Sequence, residues 1–246
     1  MGGVIIITQA RLNSSRFPKK ILQKIKGQTL IEIHLDRLSK SKYSDNLTVA
    51  TTYEDEIEEL LDILNKKEIR FFQGSTTDVL DRYYNAAKDL KPDFIVRVTS
   101  DCPLIDPKLL DQIIDFALEQ DLDYVSNILL EKFPDGQDVE VIKWSALSDA
   151  WRKTLTNYDR EHVTPYIKKN STFLGGTKYT SKNFDCKQNY NHIRMTVDEF
   201  IDYDAINRLI ESLGLNSDWL AYTNYIIKNP HFFKNQKIIR NQGSKK

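Results

Sequence analysis

The stretch that decides the fold is Val4-Ile5-Ile6-Ile7-Thr8-Gln9-Ala10-Arg11-Leu12-Asn13-Ser14-Ser15-Arg16-Phe17-Pro18-Lys19-Lys20. Its first four residues are β-branched and apolar, which is typical of a strand that is buried on both faces. The polar residues that follow, 10–20, include four cations and are called the basic loop below. In open α/β sheets ligands bind beyond the carboxyl ends of the strands, and the basic loop would lie there.

The basic loop has the composition of a phosphate-binding loop. Its cations are Arg11, Arg16, Lys19 and Lys20. Because like charges this close repel one another, a compact arrangement of them needs an anionic partner. Arg presents a planar fork of donors and Lys a point charge, and both suit phosphate oxygens. Asn13 tolerates positive φ, which would let backbone N–H groups turn inward as an anion nest. From charge alone, a solvated basic loop remains the alternative.

The overall composition gives no argument for a nucleic-acid or membrane partner. Thirty-five basic residues balance 35 acidic ones, so the chain has no global charge that would attract either. No apolar run approaches a transmembrane span, and no secretory segment follows Met1. Cys102 and Cys186 lack the spacing of a metal site or a disulfide framework. We therefore expect a soluble, cytoplasmic protein.

The first half of the chain alternates between strand and helix patterns. Strands are predicted at about 46–51, 69–72 and 94–98, and helices at about 29–40, 54–67, 78–90 and 107–120. This alternation predicts an α/β fold with a mostly parallel sheet in three layers. The acidic residues within 54–59 are interpreted as a solvated helix start. No GxGxxG or P-loop pattern occurs, so neither dinucleotide binding nor Walker-type ATPase chemistry is supported.

The second half of the chain is less regular. Strands are predicted at 138–143 and 193–197, an extended segment at 173–179, and helices at 144–153, 159–169, 202–213 and 217–228. Residues 229–246 are polar and basic, and we expect this tail to be disordered in part. No internal repeat or linker marks a second domain.

Asp101 and Asp198 each follow a predicted strand. Pro103 disfavours the helical conformation at the residue before it, so the chain should turn there and project Asp101 into the cleft. Two carboxylates at neighbouring strand ends fit a Mg²⁺ site, since that ion takes one or two carboxylates plus substrate phosphates. Without the ion the two would repel each other, and at least one would gain proton affinity. The alternative is that each Asp caps the helix after it.

Two other segments carry polar residues at predicted element boundaries. Ser75 and Asp78 stand where a helix begins, which is an ordinary capping signature, and the functional alternative is a loop that contacts the edge of a base. Asp138 and Glu140 would share one face of a strand, where they would repel unless cationic or hydroxyl-rich groups surround them. For His162 we favour a structural role over a catalytic one.

The chain also contains two Asp-x-Asp triplets, at 121–123 and 202–204. Such triplets bind metal in many glycosyltransferases. Here they lie at the end of one predicted helix and at the start of another, where Asp is common anyway, so both are weak signals.

The basic loop resembles a family signature. Residues 9–20 are similar to the pattern Ala-Arg-x-Gly-Ser-x-Arg-x-Pro-x-Lys of CMP-sugar synthetases, which activate sialic acids, other nonulosonic acids and octulosonic acid. Five more motifs of this family follow in order, at 74–83, 97–103, 134–140, 160–166 and 194–198. The resemblance covers about residues 4–210 and is strongest to the spore-coat polysaccharide biosynthesis protein F branch. Asn13 and Lys19 depart from it, because the family often has Gly at both positions.

The resemblance implies a Rossmann-like nucleotidyltransferase domain over residues 1–228. An inserted segment at about 130–190 would support dimerisation and contact the acceptor. The implied reaction transfers CMP from CTP to an acidic sugar, releases pyrophosphate, uses Mg²⁺ and serves surface polysaccharide biosynthesis. We therefore expect a cytoplasmic homodimer with CTP and an acidic sugar as its substrates.

The resemblance also assigns roles to individual residues. The catalytic cations would be Arg11, Arg16 and Lys20, and the Mg²⁺ ligands Asp101 and Asp198. The nucleotide-binding residues would be Ala10, Arg11, Asn13, Ser14, Gly74, Ser75, Asp78 and Thr99. The acceptor-binding residues would be Asp138, Glu140, Arg160 and His162. Two rivals remain open, which are a metal-dependent glycosyltransferase that uses a sugar nucleotide and a non-catalytic nucleotide-binding protein.

Overall fold

The computed structural model describes residues 3–238 and residue 240 of the chain. The strands in this part are β1 (Val4–Gln9), β2 (Lys24–Ile25), β3 (Gln28–Thr29), β4 (Thr48–Thr52), β5 (Arg70–Gly74), β6 (Phe94–Thr99), β7 (Tyr124–Ser126), β8 (Glu140–Lys143) and β9 (Ser181–Asn183). The α-helices are α1 (Leu30–Leu38), α2 (Glu58–Lys66), α3 (Val79–Ala87), α4 (Pro107–Gln120), α5 (Trp144–Lys153), α6 (Asn157–His162), α7 (Pro165–Lys169), α8 (Phe200–Leu213) and α9 (Trp219–Lys228). The elements predicted in the first half are confirmed, with bounds that shift by a few residues.

The main sheet has the strand order β5-β4-β1-β6-β8-β7-β9. Within the described residues β8 runs antiparallel to both of its neighbours, and the other neighbouring pairs are parallel. The predicted α/β fold with a mostly parallel sheet is therefore confirmed. From β1 the chain first builds outward through β4 and β5, and it then returns to place β6 on the other side. The order of the strands thus reverses between β1 and β6, and a crevice opens there beyond their carboxyl ends.

Both faces of the sheet are covered by helices, which makes the three predicted layers. Ile6 belongs to a core with apolar residues of α1, α2, α4, α8 and α9. Ile5 and Ile7 point the other way, into a core with residues of α3, α5 and α7. Successive side chains of a strand point to opposite faces, so an apolar run is what a strand covered on both faces requires. Each such buried Ile contributes about 1.5–3 kcal/mol to folding.

Side chains fix the starts of two helices that the sequence predicts. Thr29 caps α1 in a capping box, because its hydroxyl accepts from the Glu32 N–H and the Glu32 carboxylate accepts from the Thr29 N–H. Asp106 caps α4 just before Pro107, and its Oδ1 accepts from the N–H groups of Lys108 and Leu109. Loss of such a cap costs about 1 kcal/mol. The starts of both helices confirm the boundaries predicted for them.

The segment 193–197 is not a strand of the sheet, contrary to the prediction. It is extended but bonds to two loops, since Met195 N donates to Asp135 O and Val197 N donates to Asp101 O, both at 2.7 Å. An alternating apolar pattern reports burial on one side and does not specify the backbone partner. This loop-to-loop bonding nevertheless brings Asp198 next to Asp101.

The predicted helix 159–169 is broken into α6 and α7. Val163 has φ 71° between them, and Pro165 starts α7. Pro has no N–H to continue the first helix, so the chain must turn before it. The segment 173–179 is also not extended throughout, because Thr172–Leu174 forms a 3₁₀ turn that ends at Gly175 with φ 84°.

The segment expected as a disordered tail is folded as far as the structure describes it. Residues 230–232 and 234–237 form 3₁₀ turns, and Phe233 and Asn235 between and within them are buried. Burial of the Phe233 ring compensates for the polar composition of its neighbours. Residues 239 and 241–246, to which the prediction also applied, lie outside the described residues. In the described ranges, no helix has both the length and the apolar character that crossing a membrane requires.

Candidate active site

The crevice between β1 and β6 is bordered by the first residues of two loops. Gln9 pairs with Thr99 where the two strands end. Beyond these ends the chain enters the basic loop on one side and the turn around Asp101 on the other. The backbone anchors both, since Ala10 N donates to Ala50 O and Ser100 N donates to Gln9 O. The sequence thus places its cations and its first predicted Mg²⁺ ligand at the same edge of the sheet.

Lys20 joins the two predicted Mg²⁺ ligands. Its Nζ donates to Asp198 Oδ1 at 2.8 Å and to the Val197 carbonyl at 2.6 Å, and it lies 3.5 Å from Asp101 Oδ2. Burial alone would lower the pKa of Lys20, but Asp101 and Asp198 outweigh it and raise that pKa above its usual value. The two carboxylates therefore face one shared cation position.

Asp198 is surrounded by further cations. Arg16 reaches its Oδ1 at 3.1 Å and Arg194 reaches its Oδ2 at 3.2 Å. Burial would raise the pKa of Asp198, yet Lys20, Arg16 and Arg194 hold it below its usual range. The expectation that mutual repulsion raises the pKa is therefore wrong for Asp198, because cations of the chain already stand where the ion was expected. The capping alternative also fails, since α8 is capped at Glu199 and α4 at Asp106.

The donor set fits Mg²⁺. Two carboxylates that share one cation position, next to a basic loop, are what this ion uses when substrate phosphates complete its coordination. Among residues 3–238 and 240 no group of three or more His, Cys, Asp or Glu side chains could hold a metal by itself. A Mg²⁺ ion held by Asp101 and Asp198 would therefore take its remaining ligands from phosphate oxygens and water.

Arg194 organises the Asp198 side of the crevice. Its guanidinium makes a bidentate pair with the fully buried Asp202, at 2.8 and 2.9 Å, and contacts Asp135 Oδ2 at 2.9 Å. Asp202 Oδ2 in turn accepts from the N–H groups of Asp198 and Glu199, at 3.0 Å each. Sequence reasoning missed this role, although Arg194 opens the motif that ends in Asp198. Asp202 therefore serves the fold here and is not a free metal ligand.

The basic loop directs two backbone N–H groups at an anion of the chain itself. Leu12 N and Asn13 N donate to Glu54 Oε2, at 2.7 and 3.4 Å. Glu54 was interpreted as part of a solvated helix start, but α2 begins only at Glu58. The positive φ expected at Asn13 occurs instead at Lys19, with φ 53°. Lys19 stands where the family often has Gly, and the left-handed conformation costs a residue with a Cβ about 1–2 kcal/mol.

The segment 74–82 caps a helix, as the sequence favours. Asp78 caps α3 by accepting from Asp81 N, and Ser75 Oγ accepts from Asp78 N. The other oxygen of Asp78 pairs with Arg160 Nε at 2.5 Å, so a predicted nucleotide-binding residue and a predicted acceptor-binding residue touch. The capping role of Asp78 is compatible with a contact between the Gly74 loop and a base.

Arg82 is a second residue that sequence reasoning missed. It is 2% exposed, and its Nε and Nη1 have no hydrogen-bond partner among the described residues. Burial lowers its pKa below the usual value for Arg. A Cβ at Gly74 would lie 2.9 Å from Arg82 Cγ, so glycine there lets the arginine pack against the strand end. Unpartnered buried donors are costly, and a bound ligand would satisfy them.

Glu140 is placed inside the protein. It is 1% exposed, and its carboxylate forms ion pairs with Arg97 and Lys168. The same carboxylate accepts hydrogen bonds from the hydroxyl groups of Tyr124 and Thr164. Burial would raise the pKa of Glu140, but Lys168 and Arg97 hold it well below its usual range. The cationic and hydroxyl-rich surroundings that its burial requires are thus present. An acceptor would reach Arg97 or Lys168 more readily than Glu140 itself.

The other predicted acceptor residues lie apart. Asp138 precedes β8 and pairs with Arg240 at 2.6 Å, so it does not share a strand face with Glu140. His162 ends α6, packs on Tyr158 with ring centres 4.5 Å apart, and has its pKa lowered by burial. Thr99 Oγ1 lies 3.4 Å from Cys102 Sγ, at the base of the Asp101 turn.

The Asp101 turn rests on a buried histidine. His34 Nδ1 lies 2.9 Å from the Cys102 carbonyl and Nε2 lies 2.9 Å from Thr8 Oγ1. A carbonyl oxygen only accepts, so Nδ1 carries the proton and Nε2 accepts from the hydroxyl. Burial lowers the pKa of His34 to about 4, which keeps the ring neutral near pH 7.

Asp135 behaves differently from Asp198. It contacts Arg194 at 2.9 Å, while Arg240 Nε lies 3.9 Å from its other oxygen. Burial and the nearby Asp138 raise the pKa of Asp135 to about 7, against the lowering effect of the two arginines.

A Rossmann-like α/β domain with a basic loop and paired aspartates at its crevice is the architecture of a nucleotidyltransferase. A model of the cytidylyltransferase family matches residues 5–239, so the chain belongs to the cytidylyltransferase family and is a CTP-dependent nucleotidyltransferase. An uncharacterised protein of Methanocaldococcus jannaschii is 35% identical over an alignment of 248 positions, which covers 98% of this chain and 97% of that protein.

Two further comparisons bear on the branch of this family. The spore coat polysaccharide biosynthesis protein SpsF of Bacillus subtilis is 31% identical over an alignment of 226 positions, which covers 89% of this chain and 90% of that protein. The solved structure of a cytidylyltransferase from Leptospira borgpetersenii is 32% identical, with a TM-score of 0.90 over 98% of this chain and 100% of that chain. The resemblance to CMP-sugar synthetases near the spore-coat branch is thereby confirmed.

Proposed function

We propose that this protein transfers CMP from CTP to an acidic sugar, with release of pyrophosphate, for the synthesis of a surface polysaccharide. Its membership of the cytidylyltransferase family supports the nucleotide. The name of the Bacillus subtilis relative supports the polysaccharide, and the resemblance to CMP-sugar synthetases supports an acidic sugar as the acceptor.

One observation carries this proposal. Lys20 lies between Asp101 and Asp198 at the strand-order reversal, with Arg16 on the same Asp198 oxygen. A site for triphosphate needs cations that can leave a carboxylate for a phosphate, and carboxylates that can then hold a metal ion. All of these groups meet at one point of the crevice.

The chemistry proposed is an in-line attack of an acceptor oxygen on the α-phosphorus of CTP. Positioning and neutralisation of charge supply most of the catalysis in such a reaction. Arg11, Arg16 and Lys20 would bind the triphosphate and stabilise the charge on the departing pyrophosphate. Asp101 and Asp198 would hold Mg²⁺, which when bound neutralises phosphate oxygens.

The nucleoside would lie beside the Gly74 loop. Its proposed contacts are Ala10, Asn13, Ser14, Gly74, Ser75, Asp78 and Thr99, and Arg82 joins them because its Nε and Nη1 lack partners in the described residues. Donors of a buried guanidinium suit the carbonyl and ring-nitrogen acceptors of a pyrimidine. On the other side of the crevice, Asp138, Arg160 and His162 would contact the acceptor sugar, with Glu140 acting through Arg97 and Lys168.

The two Asp-x-Asp triplets do not support the glycosyltransferase alternative. Asp202 is fully buried and paired with Arg194. Asp123 directly precedes β7, which runs parallel to β6, so it lies at the sheet edge opposite the crevice. Neither triplet presents two carboxylates to a ligand at the site.

A pyrophosphate-release screen tests the proposal. Each of CTP, UTP, ATP and GTP is incubated with Mg²⁺ and a panel that includes N-acetylneuraminic acid, 3-deoxy-manno-octulosonate and phosphorylated small acids. We expect release with CTP and one acidic acceptor, and no hydrolysis of CMP-sugars added alone. Release with another nucleotide, or binding of CTP with no turnover on any acceptor, would contradict the proposal.

We further propose that the enzyme is a cytoplasmic homodimer that uses the segment 130–190 as its contact. This segment exposes four large apolar side chains, those of Leu130, Leu155, Tyr158 and Leu174. Exposed apolar residues of this kind mark interaction surfaces when they are contiguous. Light scattering should give the mass of two chains at micromolar concentration, and the mass of one chain would remove the dimer from the proposal.

A further inference from the structure

The last part of the described chain is built into the site. We call residues 233–238 and Arg240 the C-terminal strap. Gln236 binds both backbone groups of Arg194, since its Oε1 accepts from Arg194 N at 2.7 Å and its Nε2 donates to Arg194 O at 2.9 Å. Asn235 Nδ2 donates to Asp202 Oδ1 at 3.1 Å, and Phe233 buries its ring beneath. The strap therefore holds the backbone of Arg194, whose side chain pairs with Asp198.

Arg240 extends the strap to the acceptor side. Its Nη2 donates to Asp138 Oδ1 at 2.6 Å and its Nη1 donates to the Phe133 carbonyl at 3.3 Å. Its Nε lies 3.7 Å from Glu131 and 3.9 Å from Asp135. The side chain is 10% exposed, so it is packed among these groups and does not present a free cation to solvent. The family model ends one residue earlier, at 239.

The strap completes a chain of alternating charges across the site. Its members are Lys20, Asp198, Arg194, Asp135, Arg240 and Asp138, with successive separations of 2.8, 3.2, 2.9, 3.9 and 2.6 Å. Each carboxylate before the last has a cation on both sides, and Asp138 stands at the end. Without Arg240, Asp135 and Asp138 would face each other as like charges, and the position of Asp138 would no longer be defined.

Asp138 has one oxygen left for a ligand. Arg240 engages Oδ1, and within residues 3–238 and 240 no hydrogen bond reaches Oδ2. A carboxylate fixed through one oxygen accepts hydrogen bonds with the other, and its natural donors are sugar hydroxyl or amino groups. The orientation of that free oxygen depends on the guanidinium behind it.

We propose that Arg240 is a positioning residue of the acceptor side, which holds the free oxygen of Asp138 towards hydroxyl or amino groups of the acceptor sugar. The C-terminal strap thereby determines which acceptors the enzyme uses. This inference rests on the proposed function, because it concerns the same site.

The test compares variants of the full-length protein, with the acidic sugar that gives the highest pyrophosphate release as the acceptor. Arg240→Gln should raise the KM for that acceptor by about tenfold or more, the usual effect of losing the partner that orients a ligand-binding group. The KM for CTP should change by less than about twofold, since Arg240 does not face the basic loop. Arg240→Lys should restore part of the acceptor KM. Lys228→Gln, which removes an exposed cation at the end of α9 and outside the strap, serves as the matched control and should change neither constant.

A purely structural role makes a different prediction. The double variant Arg240→Gln with Asp138→Asn removes the like-charge repulsion, so its melting temperature should return towards wild type. If Arg240 only stabilises the fold, the acceptor KM should return with it. We expect the KM to stay high, because Asn presents no free carboxylate. Recovery of both, or an unchanged acceptor KM in Arg240→Gln, would overturn the inference while leaving the proposed function intact. Absence of pyrophosphate release by the wild-type enzyme would overturn both.

Discussion

Asp198 and Asp135 bind the same arginine and yet carry their charge differently. Asp198 faces Lys20, Arg16 and Arg194, and its pKa lies below the usual range. Asp135 faces Arg194 closely and Arg240 at a distance, with Asp138 as a like charge nearby, and its pKa is raised to about 7. Both are largely buried, so burial does not separate them. The number of close cations does, and it is high only on the side where the triphosphate is proposed to bind.

Arg194 contacts both Asp135 and Asp198, so we expect its removal to cause the largest loss of folding stability. Arg194→Ala would leave the fully buried Asp202 without a cation and would remove one cation each from Asp135 and Asp198. Breaking a buried pair by removing one partner costs about 3–5 kcal/mol. Urea denaturation measures the free energy of unfolding directly. Arg152→Ala, a change at an exposed arginine of α5, is the control. An equal, small loss in both variants would show that Arg194 does not organise the site.

Acidification should change the free energy of unfolding in opposite directions through His34 and Asp135. The folded-state pKa of His34 is about 4, below its ordinary value of 6.5, so the unfolded chain binds the proton first and stability falls as pH drops from 6.5 to 4. The total is about 3 kcal/mol, at 1.36 kcal/mol for each pKa unit. Asp135 has a folded-state pKa of about 7, above its ordinary value of 3.8, so its protonation in the folded state raises stability as pH falls from 7 to 3.8.

Two variants separate these opposing contributions. His34→Gln should remove the loss, so the melting temperature should rise relative to wild type as pH falls from 7 to 4. Asp135→Asn should remove the gain, so the melting temperature should fall more steeply than in wild type. Scans at half-unit pH intervals measure both slopes. Parallel curves for the two variants would contradict the assignment of these pKa shifts.

Asp198→Asn tests only the side of the crevice on which several cations surround Asp198. The repulsion expected between Asp101 and Asp198 predicts that the variant is as stable as wild type or more so. The structure reverses that expectation, since Asp198 accepts from Lys20 and pairs with Arg16 and Arg194. Loss of a charged hydrogen-bond partner should cost about 1.5–3 kcal/mol, measured without metal. Mg²⁺–CTP binding, followed by calorimetry, should weaken as well. A variant with wild-type stability and wild-type binding would show that Asp198 neither stabilises the fold through these cations nor binds the metal.

The fold was more predictable from the sequence than the site, for a physical reason. The core strand Val4–Gln9, the capping box at Thr29 and the start of α4 after Asp106 depend on residues close in sequence. Local patterns report such elements well. They do not report backbone partners, which is why the pattern of 193–197 predicts a strand although this segment bonds to the loops at Asp101 and Asp135.

The site depends on charges that are far apart in sequence. Lys20 meets Asp198 across 178 positions, and Arg240 meets Asp138 across 102. Spacing along the chain carries no information about such pairs, so a residue such as Arg240 has no sequence signal of its own. The roles of Arg11, Asn13 and the other loop residues came from the resemblance to a family. The structure then corrected a detail of that resemblance, because the left-handed residue is Lys19 and not Asn13.

Arg16 gives the smallest expected effect on stability and separates the fold from the function most cleanly. Its side chain is 42% exposed and pairs with Asp198 at 3.1 Å and with Glu199 at 4.0 Å. Exposed ion pairs contribute about 0–1 kcal/mol, and Asp198 retains Lys20 and Arg194 as partners, so Arg16→Ala should barely shift the urea midpoint. Turnover should fall by about 100-fold or more, the usual loss when a donor that stabilises developing charge is removed. Arg16→Lys should recover part of it, since a point charge replaces the fork of donors. If Arg16→Ala lowers the melting temperature strongly and leaves pyrophosphate release unchanged, then Arg16 belongs to the structural charge chain, and the cation-rich side of the crevice is not where the triphosphate binds.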